Sequence, residues 1–318
     1  MNFFLSRVST AQQFFPSVPA MPLPHIDVCI CTFRRPELLR RLLEHLDRQV
    51  TEGRFTFSIV VADNDPDESA EKLVRSFGRD SNLEVVYCSQ PERNIALTRN
   101  ASIVHGGGEL IGLIDDDEFP SSDWLLNLYT TLKEEDVAAV LGPVRPHFDS
   151  PPPKWVIKGK FCERPEYPTG TKIAGSHCRT GNVLFRRDLL RDGEEPFRAE
   201  FGTGGEDKDF FLRHADDGHT FVWCNEAPVF ESVPKSRLTR SYMLQRALLR
   251  GKINLGFRNN KWASLAKSSV AVISYGFLIP FALIRGHDRF MHLMIRLCDH
   301  AGKLLAFVGL NPIEERRM

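Results

Sequence analysis

Leu110-Ile111-Gly112-Leu113-Ile114-Asp115-Asp116-Asp117-Glu118 is an apolar strand pattern that stops in four consecutive carboxylates. Three residues on, Ser121-Ser122-Asp123 opens an amphipathic helical pattern at Trp124. A buried strand that ends in a polar turn ahead of a helix is where open α/β sheets bind their ligands. Four crowded carboxylates repel one another unless a cation or solvent screens them. Hard divalent ions such as Mg²⁺ and Mn²⁺ prefer oxygen-rich sites of this kind, often shared with substrate phosphates. Taken locally, the same residues serve equally well as a solvated acidic turn that caps the next helix.

The chain ahead of this turn alternates strand and helix. Residues 25–31 read as a first strand, followed by the turn Thr32-Phe33-Arg34-Arg35 and by Pro36 in the first turn of a helix, where proline is tolerated. Leu38, Leu39, Leu42, Leu43 and Leu46 form one apolar helical stripe. Residues 55–61 read as a second strand that ends in the acidic turn Ala62-Asp63-Asn64-Asp65-Pro66-Asp67, and a short helix follows over 68–77. A third strand is expected over 83–87, a third helix over 94–104, and the fourth strand over 109–114 after Gly106-Gly107-Gly108. This alternation implies a parallel sheet with right-handed crossovers. The polar turns at Thr32, Asp63 and Asp115 then share one rim. No GxGxxG follows the first strand and no Walker motif is present, which excludes a typical dinucleotide fingerprint and a P-loop.

Beyond the acidic turn, residues 124–132 read as a helix and 137–144 as a strand. Residues 145–172 are rich in proline and carry Trp155, Phe161 and Tyr167, the composition of a long functional loop. Thr180-Gly181-Asn182 opens another strand, where glycine permits close approach of a ligand or marks a bulge. Gly202-Thr203-Gly204-Gly205 delivers Glu206 and Asp207 to the start of a helix. Free amides and the helix dipole stabilise carboxylates there, and a carboxylate held ionised in that way also suits a general base. Short strands are expected over 222–224 and 229–230.

Hydrophobic residues make up 42% of the 318 positions and charged ones 26%, as in soluble proteins of one large or two smaller domains. Net charge is zero but uneven. Residues 233–318 hold 15 basic against 4 acidic side chains, a balance of +11, and the first 232 residues carry the compensating −11. A basic tail on an acidic body points to an anionic partner. Residues 268–284 are 17 positions without charge, interrupted by Gly276 and Pro280, and 290–310 form a cationic amphipathic pattern. Together they predict helices that lie on or re-enter a membrane surface rather than a clean span. A helical hairpin packed on the protein's own core is the plainer alternative. Nucleic acid is the weakest partner, because apolar residues in the tail outnumber stacking aromatics. Arg246 and Arg250 could close over a pyrophosphate or simply face water. Seven cysteines with no CxxC pair predict a reducing, cytoplasmic setting. Residues 1–24 lack the apolar core of a signal peptide and are expected to form a loose arm.

In this order and spacing, the motifs resemble inverting glycosyltransferases of family 2, with the GT-A fold, and among them the bacterial succinoglycan and exopolysaccharide branch. The resemblance spans about residues 26–250. It rests on Cys31-Thr32-Phe33-Arg34-Arg35-Pro36, the turn at Asp63, Arg99-Asn100, the Asp115-Asp116-Asp117 triplet, Gly181-Asn182 and Gly205-Glu206-Asp207. It implies an α/β fold, a GT-A-type, Rossmann-like and mostly parallel sheet flanked by helices. Residues 25–130 would form its nucleotide-binding half and 131–232 its acceptor half, followed over 233–318 by a basic, helical, membrane-associating tail.

The resemblance also implies roles. Thr32, Arg34, Asp63 and Arg99 would belong to the nucleotide-sugar pocket, with Asp63 meeting the base. Asp115 and Asp117 match the family's DxD motif. Asp117 would ligate Mn²⁺ or Mg²⁺ directly, with Asp115 the second candidate, and Asp115 or Asp116 would contact ribose or sugar. Gly181 and Asn182 would border the sugar. Asp207, or failing that Glu206, would be the catalytic base. Gln245-Arg246-Ala247-Leu248-Leu249-Arg250 only approximates the QxxRW motif of processive members, so addition of a single sugar is expected. Glu231 stands where related enzymes carry a histidine near the metal, and receives no ligand role. The implied reaction moves one sugar from a nucleotide-diphosphate donor, most often a uridine one, to a glycan acceptor, lipid-linked, at the inner face of the cell membrane. A non-catalytic nucleotide-sugar-binding scaffold and a nucleotidyltransferase are the competing classes. The second is disfavoured because no glycine-rich, lysine-bearing loop follows the first strand.

Overall fold

The computed structural model describes residues 22–257 and 260–310, so the arm expected over residues 1–24 lies almost wholly outside the described residues. Strands β1 (His25–Thr32), β2 (Thr56–Asp63), β3 (Glu84–Ser89) and β4 (Leu110–Asp115) alternate with helices α1 (Pro36–Leu46), α2 (Glu71–Asp80) and α3 (Ile95–Val104). The four strands pair in parallel in the order β3-β2-β1-β4. Strands buried on both faces read as continuous apolar runs, and β1 shows why. Ile26, Val28 and Ile30 pack with the α1 stripe Leu39, Leu42, Leu43 and Leu46, whereas Cys29 joins Ile103 of α3 on the opposite face.

The second half is less regular. It comprises β5 (Glu118–Pro120), α4 (Trp124–Glu134), β6 (Ala139–Leu141), β7 (Val144–His147), α5 (Lys154–Lys158), β8 (Asn182–Arg186), α6 (Glu206–Asp216), β9 (Phe221–Trp223) and β10 (Val229–Ser232). The main sheet has seven strands in the order β3-β2-β1-β4-β8-β6-β9, with β8 antiparallel to β4 and β6. The expected mostly parallel sheet flanked by helices is therefore present. The strand expected over 137–144 is in fact two. β6 stays in the main sheet, and β7 joins β10 and β5 in a separate three-stranded sheet. Pro143 divides them, since it has no N–H to continue a ladder, and its carbonyl accepts from Val229 N at 2.9 Å.

Three further helices follow, α7 (Arg240–Gly256), α8 (Lys261–Arg285) and α9 (His287–Phe307). α7 and α9 cross closely: a Cβ added at Gly251 would collide with the Asp299 carbonyl, and one added at Gly302 with the Leu248 carbonyl. α8 runs unbroken for 25 residues, so Gly276 and Pro280 do not interrupt it as expected. Pro280 lies inside the helix at the cost of one backbone bond and of a ring set against the carbonyl four residues back, a cost the rest of the helix outweighs. The helix is long and apolar enough to cross a membrane by length and composition, with mean hydropathy 1.6 and little of it buried. Its exposed residues include Ile273, Phe277, Phe281 and Ile284.

The proline-rich stretch is more than a loop. It begins as β7, and its short helix α5 docks on α9. Lys158 pairs with Asp288 at 3.0 Å, and the Trp155 and Phe161 rings lie 4.9 Å and 4.4 Å from those of His287 and His292. This segment thus ties the C-terminal helices to the sheet.

Candidate active site

The strand register puts the three polar turns side by side. Thr32 is opposite Asp63, and Cys31 is opposite Asp115. A cavity of about 350 Å³ opens at this rim, with Thr32, Arg35, Arg99, Asp115, Asp117 and Glu206 among its walls. Glu206 arrives there from far along the chain. Asn94 caps α3 by accepting from Ala96 N and Leu97 N at 3.0 Å and 3.2 Å, and its amide donates to Ala199 O at 2.9 Å. That bond fixes the segment leading into α6 against the rim.

Within the cavity, carboxylates and arginines alternate. Thr32 Oγ1 donates to Asp116 Oδ2 and Arg35 Nη1 to Asp116 Oδ1, both at 2.9 Å. Arg237 donates to Asp117 Oδ2 and to Glu231 Oε1, again at 2.9 Å, and Arg164 reaches the other Glu231 oxygen at 2.6 Å. Buried Arg99 pairs with Glu206 and donates to Asp115 Oδ1 at 3.2 Å. Burial pushes Asp116 up to about 7, with Arg35 acting against it. Burial also raises Asp117, helped by the charge of Asp115, and lifts Glu118 well above the usual carboxylate range. Glu206 is raised by burial, which Arg99 opposes.

At the end of β4 the donor set suits a hard cation. Asp115 is 44% exposed. Glu118 accepts from Asp115 N through Oε2 at 3.2 Å, while its buried Oε1 has no hydrogen-bond partner. Carboxylate oxygens of Asp115 and Asp117, with that orphaned oxygen beside them, fit Mg²⁺ or Mn²⁺ in chemistry. Among the described residues no three such ligands converge on one point, and Arg35 and Arg237 both engage Asp117 Oδ2.

The expected site residues divide into two groups. Thr32, Arg99, Asp115, Asp116, Asp117, Glu206 and Arg246 line the cavity. The others stand outside its walls. Asp63 is fully buried and closes its own turn, accepting from Asp65 N, Ala70 N and Tyr87 Oη at 3.0, 2.8 and 3.2 Å; its neighbour Asn64 lines the cavity instead. Arg34, at φ +53°, turns outward to Asp65 and Asp67 at 3.0 Å and 2.5 Å. Asn182 is buried as a strand lock: it accepts from Trp124 Nε1 at 2.8 Å and donates to Pro143 O and Ala227 O at 3.0 Å and 2.8 Å. Gly181 abuts Glu118, where an added Cβ would lie 2.8 Å from Oε1. Asp207 is half-buried at the start of α6, with Arg179 Nε 3.9 Å away. Arg250 is paired with Asp299 of α9 at 2.8 Å and 2.7 Å.

Sequence reasoning missed Arg35, Arg237, Arg164 and the orphaned Glu118. Arg35 and Glu118 adjoin Arg34 and Asp117, which the motifs single out. Arg237 and Arg164 carry no local pattern that sets them apart from solvated arginines. The resulting array is a set of acids neutralised by guanidinium groups in a partly dry cleft. Such an array can exchange its arginines between carboxylates and the oxygens of a bound diphosphate.

A family model described as Glycosyl transferase family 2 matches residues 27–193. The succinoglycan biosynthesis protein ExoM of Rhizobium meliloti is 32% identical, over 92% of this chain and 95% of its own length. Among solved structures, S. aureus TarS in complex with UDP-GlcNAc aligns at TM-score 0.53 and 14% identity, over 91% of this chain and 93% of that one. The mannosyltransferase PcManGT of Pyrobaculum calidifontis, in complex with GDP-Man and Mn²⁺, aligns at TM-score 0.54 and 19% identity, over 92% and 77%. At these identities the two structures speak for the fold, the GT-A arrangement.

Proposed function

The chain belongs to glycosyl transferase family 2, and from that premise we propose that it moves one sugar from a uridine-diphosphate sugar to a lipid-linked glycan in bacterial exopolysaccharide synthesis. The observation that carries this reading is the convergence of Asp115, Asp116, Asp117, Arg99 and Glu206 with Arg237 and Arg246 on one rim cavity. Similarity to a succinoglycan biosynthesis protein supports the pathway class. The long apolar α8, exposed and followed by a basic α9, supports action at the inner face of the cell membrane.

In this reading Thr32 and Asn64 bound the nucleotide end of the cavity, and Arg35, Arg237 and Arg246 meet phosphate oxygens. Asp117, with Asp115, would hold Mn²⁺ or Mg²⁺, which when bound neutralises charge on a departing diphosphate as a Lewis acid. Asp207 takes the proton of an acceptor hydroxyl. The hydroxyl oxygen bonds to the anomeric carbon as the bond to the diphosphate oxygen breaks on the opposite face, so an α-donor gives a β-linkage. Glu206 is a positioning residue: it holds Arg99, which in turn holds Asp115.

The test is binding and transfer with a panel of nucleotide sugars. A uridine-diphosphate sugar with Mn²⁺ should raise the melting temperature by mass action, and transfer to a lipid-linked acceptor extract should stop with EDTA. Stabilisation by nucleoside triphosphates alone, with release of diphosphate, would replace this reading with nucleotidyl transfer.

A further inference from the structure

A groove of about 490 Å³ lies between α8 and α9. Leu278, Phe281 and Leu293 form its apolar wall, and Arg285, Arg289 and Arg296 its basic one. All three arginines are exposed. Among the described residues, no carboxylate lies within salt-bridge distance of Arg285 or Arg296. The one acid beside Arg289, Asp288, is already paired with Lys158. The groove therefore presents uncompensated positive charge on the edge of the exposed apolar helix.

It is also connected to the rim. His292 lines this groove and, from the other side, a second cavity of about 350 Å³. That cavity shares Arg164, Glu231, Arg237, Tyr242 and Arg246 with the rim cavity. The shared walls mark out a candidate path from α8 past His292 to the rim that holds Asp117.

An apolar wall, a cluster of free guanidinium groups and a polar path toward the reacting centre fit a molecule with a hydrocarbon tail, an anionic head and a hydrophilic extension. We propose that the groove seats the diphosphate head of the lipid-linked acceptor, with its tail along α8 and its glycan threaded past His292 and Tyr242 to the rim. Arginine binds phosphate oxygens in a bidentate fork, which suits a diphosphate. A bulk anionic phospholipid would satisfy the arginines but would leave the path without an occupant. The proposal rests on the glycosyl-transfer reading and adds to it a place for the acceptor's lipid end.

The test uses the full chain and two kinds of phosphatidylcholine vesicle, one carrying a polyprenyl diphosphate and one carrying phosphatidylglycerol at matched surface charge. Co-sedimentation should favour the diphosphate vesicles by about tenfold or more, one factor of ten being a single strong charge-assisted contact. The double variant Arg289→Gln, Arg296→Gln should lose that preference with an unchanged melting temperature and unchanged uridine-nucleotide binding. Should the double variant melt early, Arg285→Gln at the end of α8 provides a milder change with the same expected loss of preference. Equal binding to both vesicles, or a preference that survives these substitutions, would overturn the proposal and assign the arginines to bulk lipid. Because sedimentation needs no turnover, its failure is distinct from failure of the transfer reading, which shows instead as absent Mn²⁺-dependent binding of nucleotide sugar by the unaltered chain.

Discussion

The guanidinium of Arg237 sits 2.9 Å from Oδ2 of Asp117, the carboxylate assigned to the metal. An internal cation thus neutralises the acid that a divalent ion would engage. An ion held through that oxygen would compete with Arg237, which is already among the cavity walls that would face a diphosphate. Replacing it by alanine should lower kcat/KM for the donor by about 10- to 100-fold, the worth of one hydrogen bond to a charged group. The same variant should bind Mn²⁺ more tightly, since a competitor is gone. Steady-state kinetics and Mn²⁺ titration measure both effects, and a variant with neither would uncouple Arg237 from the metal.

Glu206 and Asp207 are neighbours with separable duties. Asp207→Asn should cut turnover by about 10²- to 10⁴-fold, the usual contribution of a general base, while nucleotide-sugar affinity holds. Glu206→Gln instead strips buried Arg99 of a charged partner. Breaking such a pair costs roughly 3 kcal/mol of stability, visible as an earlier urea midpoint. Should Glu206→Gln fold normally yet fail to turn over, while Asp207→Asn stays active, the base is Glu206.

Asp116 gives folding stability a dependence on pH. In the native state burial raises it to about 7; in the unfolded chain it ionises near the ordinary ~3.9. Between those values the native state keeps a proton that the unfolded state has lost. Stability contributed by this group therefore falls as pH rises from about 4 to about 7, by at most ~1.4 kcal/mol per unit, and is level above. Asp116→Asn should flatten that part of the curve of urea midpoint against pH. Parallel curves for the two proteins would show that Asp116 does not carry the slope.

Asn182 should behave as part of the frame. Its replacement by alanine leaves Trp124 Nε1 and the Ala227 carbonyl without a buried partner and removes one of the two donors to the Pro143 carbonyl, which keeps Val229 N. The expected cost is about 3 kcal/mol or more, with donor KM changed by less than about twofold, as for a residue that does not touch substrate. A large rise in KM in a chain of normal stability would restore it to the sugar pocket.

How far these assignments were legible follows from what each signal depends on. The first four strands and three helices announce themselves through runs and periods several residues long. β5, three residues long, lies directly after the acidic turn with no apolar run of its own, and β6 and β7 share one apolar run, so the small sheet and the split at Pro143 could not be read. At the site, the acids were visible as types but not as orientations. Asp63 and Asn64 are adjacent, and only the turn that folds Asp63 back onto Ala70 N decides which one faces the cavity. Arg34 and Arg35 differ in the same way, the left-handed backbone at Arg34 sending it outward. Arg237 and Arg164 reach the acids through tertiary approach alone. The continuity of α8 through Pro280 is hidden from a local pattern, because one helix breaker is a small cost beside the propensity of a 25-residue helix.

The close crossing at Gly251 and Gly302 has a bearing on acceptor size. α7 carries Tyr242 and Arg246 to the rim, and the same helix is clamped backbone to backbone against α9. The rim is thereby held at a set standoff from α8 and α9, and on the reading proposed above the protein would work as a gauge. With its lipid end seated as proposed, an acceptor is extended when the span from head to terminal hydroxyl equals that standoff. Shorter and longer glycans would then be refused on reach, whatever their sugars. A product one residue longer no longer matches, so transfer would end after a single addition without any device to stop it. A bulkier residue at position 302 should shift the favoured acceptor length, read from product profiles on a ladder of lipid-linked oligosaccharides; an unchanged profile in a folded variant would dismiss the gauge.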